Sequence, residues 1–253
     1  MKIYKEFELD LLGVEGVHKR SISQYRFWYE HIKKNAFKND GDIFEFGVYR
    51  GKSAITAALI LKELNSKKKI YCFDTFKGFP FKSNFDELKN FKNKKYFNKK
   101  LQKHHKNFLR LKKTLNGNKK FNVYNISTSD DFSKTSYEYV KEKIDYFKLD
   151  NIILIKGNFK ETVPNFFDSA PPHRKIKISS CNIDCDLYDG YKIILPYVYK
   201  FLSRNGYIFL DEYYSLKFPG AKIATDDFCE KNKINIKKCK VRNGEFERYY
   251  LTK

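Results

Sequence analysis

KISSCNIDCDLYDGYKIILPYVYKFLSRNGYIFLDEY, residues Lys177 to Tyr213, is the stretch from which the fold is read. An apolar run from Ile176 to Ile183 ends in Asp184 and Asp186, and a second run, Tyr207 to Leu210, ends in Asp211 and Glu212. Between them, Tyr188 to Leu202 has a helical pattern that Asn205-Gly206 stops in the manner of a helix C-cap. Strand, helix, strand is the simplest parse, and a crossover of that length predicts parallel strands. Both acidic pairs then stand at the carboxyl ends of neighbouring strands, the edge where open α/β sheets bind ligands. Four carboxylates converging there repel one another, and few Arg or His lie nearby to balance them. A hard divalent cation such as Mg²⁺, Mn²⁺ or Ca²⁺ is the expected counter-charge. Capping of the next helix or turn formation is the plainer account of any single Asp; two pairs at two strand ends favour the metal.

The 253 residues, 42% hydrophobic and 17% aromatic, suffice to bury a full core as one large domain or two small ones. Lys and Arg outnumber Asp and Glu by 51 to 30, a net charge of +21. That balance favours polyanionic or phosphorylated partners or an anionic membrane surface, although a general Lys, Asn and Ile bias explains part of it, and it does not bear on fold. The five cysteines, Cys72, Cys181, Cys185, Cys229 and Cys239, are odd in number and lack zinc spacing; they read as reduced and structural, which predicts a cytoplasmic protein. Neither a signal-peptide pattern nor an apolar run of membrane-spanning length is present.

In chain order, residues 1–37 are polar and aromatic, with Ile22, Tyr25, Phe27, Trp28 and Ile32 near helical spacing from Ser21 to Asn35. Such a helix packs on the sheet or closes over a ligand. GDIFEFGVYRGKS, Gly41 to Ser53, is a short strand, a turn with glycines at 47 and 51, and the start of a helix running to Leu64. The glycines let the backbone turn tightly and approach a ligand, and the helix presents free N–H groups. The spacing is neither the three-glycine dinucleotide fingerprint nor a P-loop, so a ligand-free turn is the alternative. A strand from Lys69 to Phe73 ends in Asp74, placed to accept hydrogen bonds from ribose hydroxyls or to cap a helix.

From Phe81 to about Lys120 the chain carries 14 Lys and Arg against two acids, Asp86 and Glu87, with interleaved aromatics. A solvated amphipathic insertion is the simpler account; a basic lid over an anionic acceptor is the sharper one. The adjacent His104 and His105 read as surface residues. Asp131 to Leu149 reads as a helix, Asn151 to Ile155 as a buried strand, and Lys160 to Phe167 as a short helix or turn. Asn158 and Phe159 follow that strand on the edge of Asp74, where an adenine ring would stack or be hydrogen-bonded, or where the loop merely packs. Pro219-Gly220 starts a last helix to Lys231, and Asn243-Gly244 joins two strand-like runs, Ile234 to Val241 and Phe246 to Leu251, as a hairpin. A mostly parallel sheet finishing in an antiparallel hairpin is the pattern of S-adenosylmethionine-dependent methyltransferases.

The blocks FEFGVYRGKSA, YCFDTFKGFP, NIILIKGNFKETVP, NIDCDLYDGY and GYIFLDEY, in this order from about Gly41 to Phe228, resemble the macrocin O-methyltransferase (TylF/MycF-like) family of metal-dependent sugar O-methyltransferases. The resemblance implies a single domain over 1–253 with a Rossmann-like class I fold, an N-terminal helical segment at 1–37 and an insertion or lid at 81–120. It implies S-adenosylmethionine on the turn of Glu45, Gly47, Tyr49, Gly51 and Ser53, and ribose on Asp74. It also implies Mg²⁺ or Mn²⁺ held by Asp184, Asp211 and Glu212, with Asp186 as general base. The chain departs from the family pattern at Cys185, where the family usually has Gly, and at Glu212, where Asp is common.

The chemistry is coherent on its own terms. Methyl transfer is an in-line displacement by a weakly acidic hydroxyl, which a cation holding two vicinal oxygens acidifies and a neighbouring carboxylate deprotonates. The expected function is O-methylation of a nucleotide-linked sugar or glycan precursor for a surface polysaccharide or secondary metabolite, by a homo-oligomer with no membrane span. The alternatives are a nucleic-acid methyltransferase or RNA binder using the basic insertion, against which an acidic pocket would repel phosphates, and a non-catalytic scaffold of the same fold.

Overall fold

The computed structural model describes residues 12–15, 24–117, 119–169 and 176–253; Ile22 and most of the expected segment before Gln24 lie outside them. The described strands form one seven-stranded sheet in the order β3-β2-β1-β4-β5-β7-β6. These are β1 (Asp42–Phe46), β2 (Ile70–Asp74), β3 (Ile152–Lys156), β4 (Ile178–Ile183), β5 (Leu202–Leu210), β6 (Lys237–Lys238) and β7 (Tyr249–Thr252). The first five pair parallel, and β7 runs antiparallel between β5 and β6. This is the fold of class I S-adenosylmethionine-dependent methyltransferases.

Alternation along the strands sorts the two faces, as the period of two requires. Phe44, Phe46, Phe73, Cys181, Ile183, Ile208 and Leu210 face α5 (Phe159–Asp168), α6 (Tyr188–Phe201) and α7 (Pro219–Asn232). Ile43, Cys72, Tyr207 and Phe209 face α1 (Arg26–Asn35), α2 (Lys52–Glu63) and α4 (Tyr137–Tyr146). Ser53 through Leu61 of α2 are all buried, consistent with a helix apolar on every side that is enclosed by neighbours. All five cysteines are buried and free, as their positions in the sequence suggest.

Three local expectations are corrected. Asn205-Gly206 does not cap a helix: α6 ends at Phe201, and β5 begins at once. Asn205 adopts a left-handed φ of 60° inside β5, where the pairing with β4 slips, and its N–H donates to the carbonyl of Lys253 at 3.0 Å. Asp131 to Leu149 is helical only over α4, whose Ser136 cap accepts from Tyr139 N–H; the residues before it form turns. His105 is not a surface residue. It stacks on Phe91 with centroids 3.8 Å apart, and its Nδ1 donates to the carbonyl of Leu216 at 2.8 Å.

The basic insertion is docked. Its helix α3 (Lys99–Asn116) is capped by Asn98, and Phe91, Phe97 and Leu101 join the core beside α6 and α7. Buried Asp86 accepts from the N–H of Ser83 at 2.7 Å and of Tyr188, the first residue of α6, at 2.8 Å. One of the two acids in the insertion thus caps the helix that follows Asp184 and Asp186.

Candidate active site

The turn after β1, and Asp74, Asp184 and Asp211 at the ends of β2, β4 and β5, meet at one edge of the sheet. A Cβ on Gly47 would lie 1.9 Å from the carbonyl oxygen of Asp184, and Gly47 has φ +91°, so only glycine lets β1 pass the end of β4 this closely. Asp74 pins the same turn: its Oδ2 accepts from the N–H groups of Val48 at 2.6 Å and Tyr49 at 2.9 Å, and its Oδ1 from Phe76 N–H at 2.7 Å.

A cavity of about 280 Å³ lies against this turn, at the small end for a nucleoside-sized ligand. Gly47, Tyr49, Ser53, Asp74, Phe159, Asp184 and Asp186 all line it, and Phe79, Pro80 and Phe132 complete its apolar part. Glu45, Gly51 and Asn158, three residues expected at the cofactor, are not part of its lining. Gly51 is the left-handed N-cap of α2. Asn158 caps α5, its Oδ1 accepting from Lys160 N–H at 2.9 Å. Glu45 is fully buried on the α2 face, where Asn182 Nδ2 donates to its Oε1 at 2.8 Å; burial above all pushes its carboxyl up to about 8. It braces the turn from beneath.

Asp184, Asp186 and Glu212 each present a carboxylate oxygen within 4.8 Å of the other two. Asp186 joins this set where Asp211 was expected. Asp211 stands beside it, close enough to Asp184 for the two charges to repel, its Oδ2 accepting from Gln24 at 3.0 Å and its Oδ1 3.5 Å from Arg248. Burial first, then Asp211 and Asp186, push the Asp184 carboxyl well above the usual range; burial and Glu212 do the same to Asp186. Asp211 is pushed up to about 6, chiefly by burial. Lys217 lies 3.8 Å from Glu212, and the surrounding acids hold its ammonium above its ordinary value although burial opposes them.

The donor set fits a divalent cation. Ionised, as a bound cation would leave them, the four carboxylates against Lys217 and Arg248 carry two net negative charges, and Asp211 Oδ1 is buried without a hydrogen-bond donor. All-oxygen ligation suits a hard ion, and two positive charges would balance the cluster.

Several site residues escaped the sequence reading. Tyr25 donates its hydroxyl hydrogen bond to Asp184 Oδ2, and Gln24 reaches Asp211, so the N-terminal side supplies polar partners to the acids. Tyr191 of α6 donates to the Ile183 carbonyl at 2.7 Å and accepts from Glu212 N–H at 3.3 Å, tying together the two strand ends that carry the acids. Asp186 itself has φ +60°, with Leu187 N–H closing onto the Cys185 carbonyl at 2.6 Å, a tight three-residue turn rare for a side chain of this size. Aromatic spacing hinted at the N-terminal helix, but no local pattern predicts which acids it would meet.

The chain matches the family model described as Macrocin-O-methyltransferase (TylF) over residues 11–125 and 114–243. Among solved structures it is similar to the O-methyltransferase NovP, with a TM-score of 0.61 and 18% identity over 98% of each chain. It is also similar to CalS11, a calicheamicin methyltransferase, with a TM-score of 0.60 and 20% identity over 97% of this chain and 77% of that one. A third similar structure is an O-methyltransferase from Bacillus cereus in complex with SAH, with a TM-score of 0.54 and 11% identity over 100% of this chain and 94% of that one. No curated protein matches the chain.

Proposed function

The chain belongs to the macrocin O-methyltransferase family and is an S-adenosylmethionine-dependent O-methyltransferase; from that premise we propose that its acceptor is a sugar hydroxyl, on a nucleotide-linked sugar or a glycan precursor, and that Mg²⁺ or Mn²⁺ assists the transfer. The observation that carries the reading is the convergence of Asp184, Asp186 and Glu212 beside the cavity that the glycine turn and Asp74 enclose. The likeness to CalS11, also described as a TDP-rhamnose 3'-O-methyltransferase, supports a sugar acceptor.

The roles follow from placement. The Gly47 turn and the N-terminus of α2 give the cofactor a close backbone wall, with Tyr49 and Ser53 beside it. Asp74, which holds that turn shut, is where ribose hydroxyls would be accepted, and Phe159 offers a ring face to the base. Asp184, Asp186 and Glu212 would hold the cation, with Asp211 beside Asp184. Bound there, the cation would orient two vicinal hydroxyls and lower the pKa of the attacking one. Asp186 belongs to both the cavity wall and the acid cluster, so it is the group placed between the acceptor and the cation site to take the hydroxyl proton. Tyr25 and Gln24 fix the orientation of Asp184 and Asp211. The insertion is tied to the start of α6 through Asp86, and its residues lie outside the lining of the cavity.

The test is incubation with labelled S-adenosylmethionine and a panel of nucleotide sugars, with Mg²⁺ and with a chelator. Label transfer to a sugar that the chelator abolishes is the expected result; transfer unaffected by chelation, or only to non-sugar acceptors, overturns the reading.

A further inference from the structure

Helix α3 has features that neither the core nor the acid cluster uses. Over its 18 residues it carries seven Lys or Arg and no acid, and only Leu101 and His105 are buried. The anchoring contacts, His105 to Leu216 and Lys100 to Glu247 at 2.7 Å, all lie in its N-terminal half. In the other half Phe108 and Leu109 pack against the cluster of Val123, Ile126 and Phe218, while Leu111 is 59% and Leu115 80% exposed one turn apart, and Phe246 of the neighbouring hairpin, which lines a groove with Leu111, is 55% exposed. On the opposite flank, Lys106 and Lys113 line a depression with Lys89, Lys92, Lys119 and Lys120; no carboxylate lines it, and its floor is apolar.

We propose that α3 is a docking surface for an anionic lipid bilayer, lying in the plane of the membrane with Leu111 and Leu115 at the acyl boundary and its lysines over the headgroup phosphates. Aliphatic side chains framed by Lys and Arg are the pattern of helices that lie in the interface, and a cluster of this size is drawn to anionic leaflets. No helix among the described residues is long and apolar enough to cross a membrane, so the contact is peripheral. A second copy of the chain fits this face poorly, because each copy brings a net charge of +21 to the contact. Single-stranded nucleic acid would need a series of aromatic platforms on which bases stack, whereas this face presents Leu111 and Leu115 with the ring of Phe246 alone beside them.

The test is co-sedimentation of the full chain with vesicles of phosphatidylcholine mixed with phosphatidylglycerol, against vesicles of phosphatidylcholine alone. Partitioning at physiological salt is expected to be at least ~10-fold stronger onto the anionic vesicles and to fall with added salt. Leu111→Gln with Leu115→Gln should lower it at least ~10-fold through lost apolar burial, and Lys103→Glu with Arg110→Glu should lower it further. S-adenosylhomocysteine binding, unchanged in both variants, checks that they are folded. Equal partitioning onto both vesicle types, no partitioning, or undiminished partitioning of the Leu variant overturns the proposal. So does an RNA oligonucleotide bound more tightly than anionic vesicles and equally well by the Leu variant, which would assign the face to nucleic acid.

Discussion

Glu45→Gln isolates one buried charge beneath the cofactor turn. Glu45 lies fully buried on the α2 face of β1, with Asn182 Nδ2 donating to its Oε1 at 2.8 Å and the Ser53 hydroxyl close by. Burial raises its carboxyl from an ordinary 4.5 to about 8. The folded protein therefore holds a proton that the unfolded chain releases, and this group's stability contribution is complete below pH 4.5 and lost as pH rises through 8. A rise of this size corresponds to about 5 kcal/mol by pH 9, of which about 2 kcal/mol is already lost at pH 6. Gln keeps the acceptor for Asn182 and removes the titration. At roughly 2–4 °C per kcal/mol for a chain of this length, the wild-type melting temperature should fall between pH 6 and pH 9 by about 6–11 °C more than that of the variant. Differential scanning fluorimetry at the two pH values reads this directly, and comparing the two proteins cancels every other titrating group. If the two proteins lose the same number of degrees, Glu45 is ionised and paired in the fold, and the account of it as a neutral brace is wrong.

Other perturbations read out the rest of the site. Gly47→Ala places a methyl 1.9 Å from the Asp184 carbonyl at a left-handed φ; calorimetry should show S-adenosylhomocysteine affinity down by ~100-fold or more, or the fold destabilised by more than ~2 kcal/mol in urea, and unchanged values for both would contradict the close crossing. Tyr25→Phe removes the hydroxyl that donates to Asp184, and urea unfolding should show about 1–3 kcal/mol lost; wild-type stability would mean the contact is not formed. Asp186→Asn should lower methyl transfer by about 10²-fold to 10⁴-fold while leaving S-adenosylhomocysteine binding nearly intact. Full activity in that variant would move the proton-accepting role to another acid.

The fold is legible because its signals are local and repeated, apolar runs ending in acids and a glycine turn; the chain also turns at Asn243-Gly244, but the paired strands are only Lys237–Lys238 and Tyr249–Thr252, shorter than the runs Ile234 to Val241 and Phe246 to Leu251 suggest. The strand ends that carry Asp74, Asp184 and Asp211 were placed correctly at one edge because parallel strands share a direction. Because β1 is buried on both faces, alternation does not reveal that the Glu45 side chain lies among buried residues on the α2 side rather than in the lining of the cavity. Asp186 rather than Asp211 clusters with Asp184 and Glu212, and the left-handed φ at Asp186 belongs to the tight turn that carries its carboxylate there. Asn205-Gly206 carried a helix-stop signal that tertiary pairing with β4 used as a strand irregularity instead. Tyr25, Gln24 and Asp86 join the site only through contacts spanning 102 to 187 residues, which no local window contains.

Calorimetric titration of Mn²⁺ into the wild-type protein saturated with S-adenosylhomocysteine, and into the Asp184→Asn and Glu212→Gln variants, tests the central claim most directly. The account predicts one cation per chain for the wild type and binding weakened by at least ~100-fold in each variant, with the homocysteine ligand still bound. Equal binding in all three proteins, or none in the wild type, would contradict it.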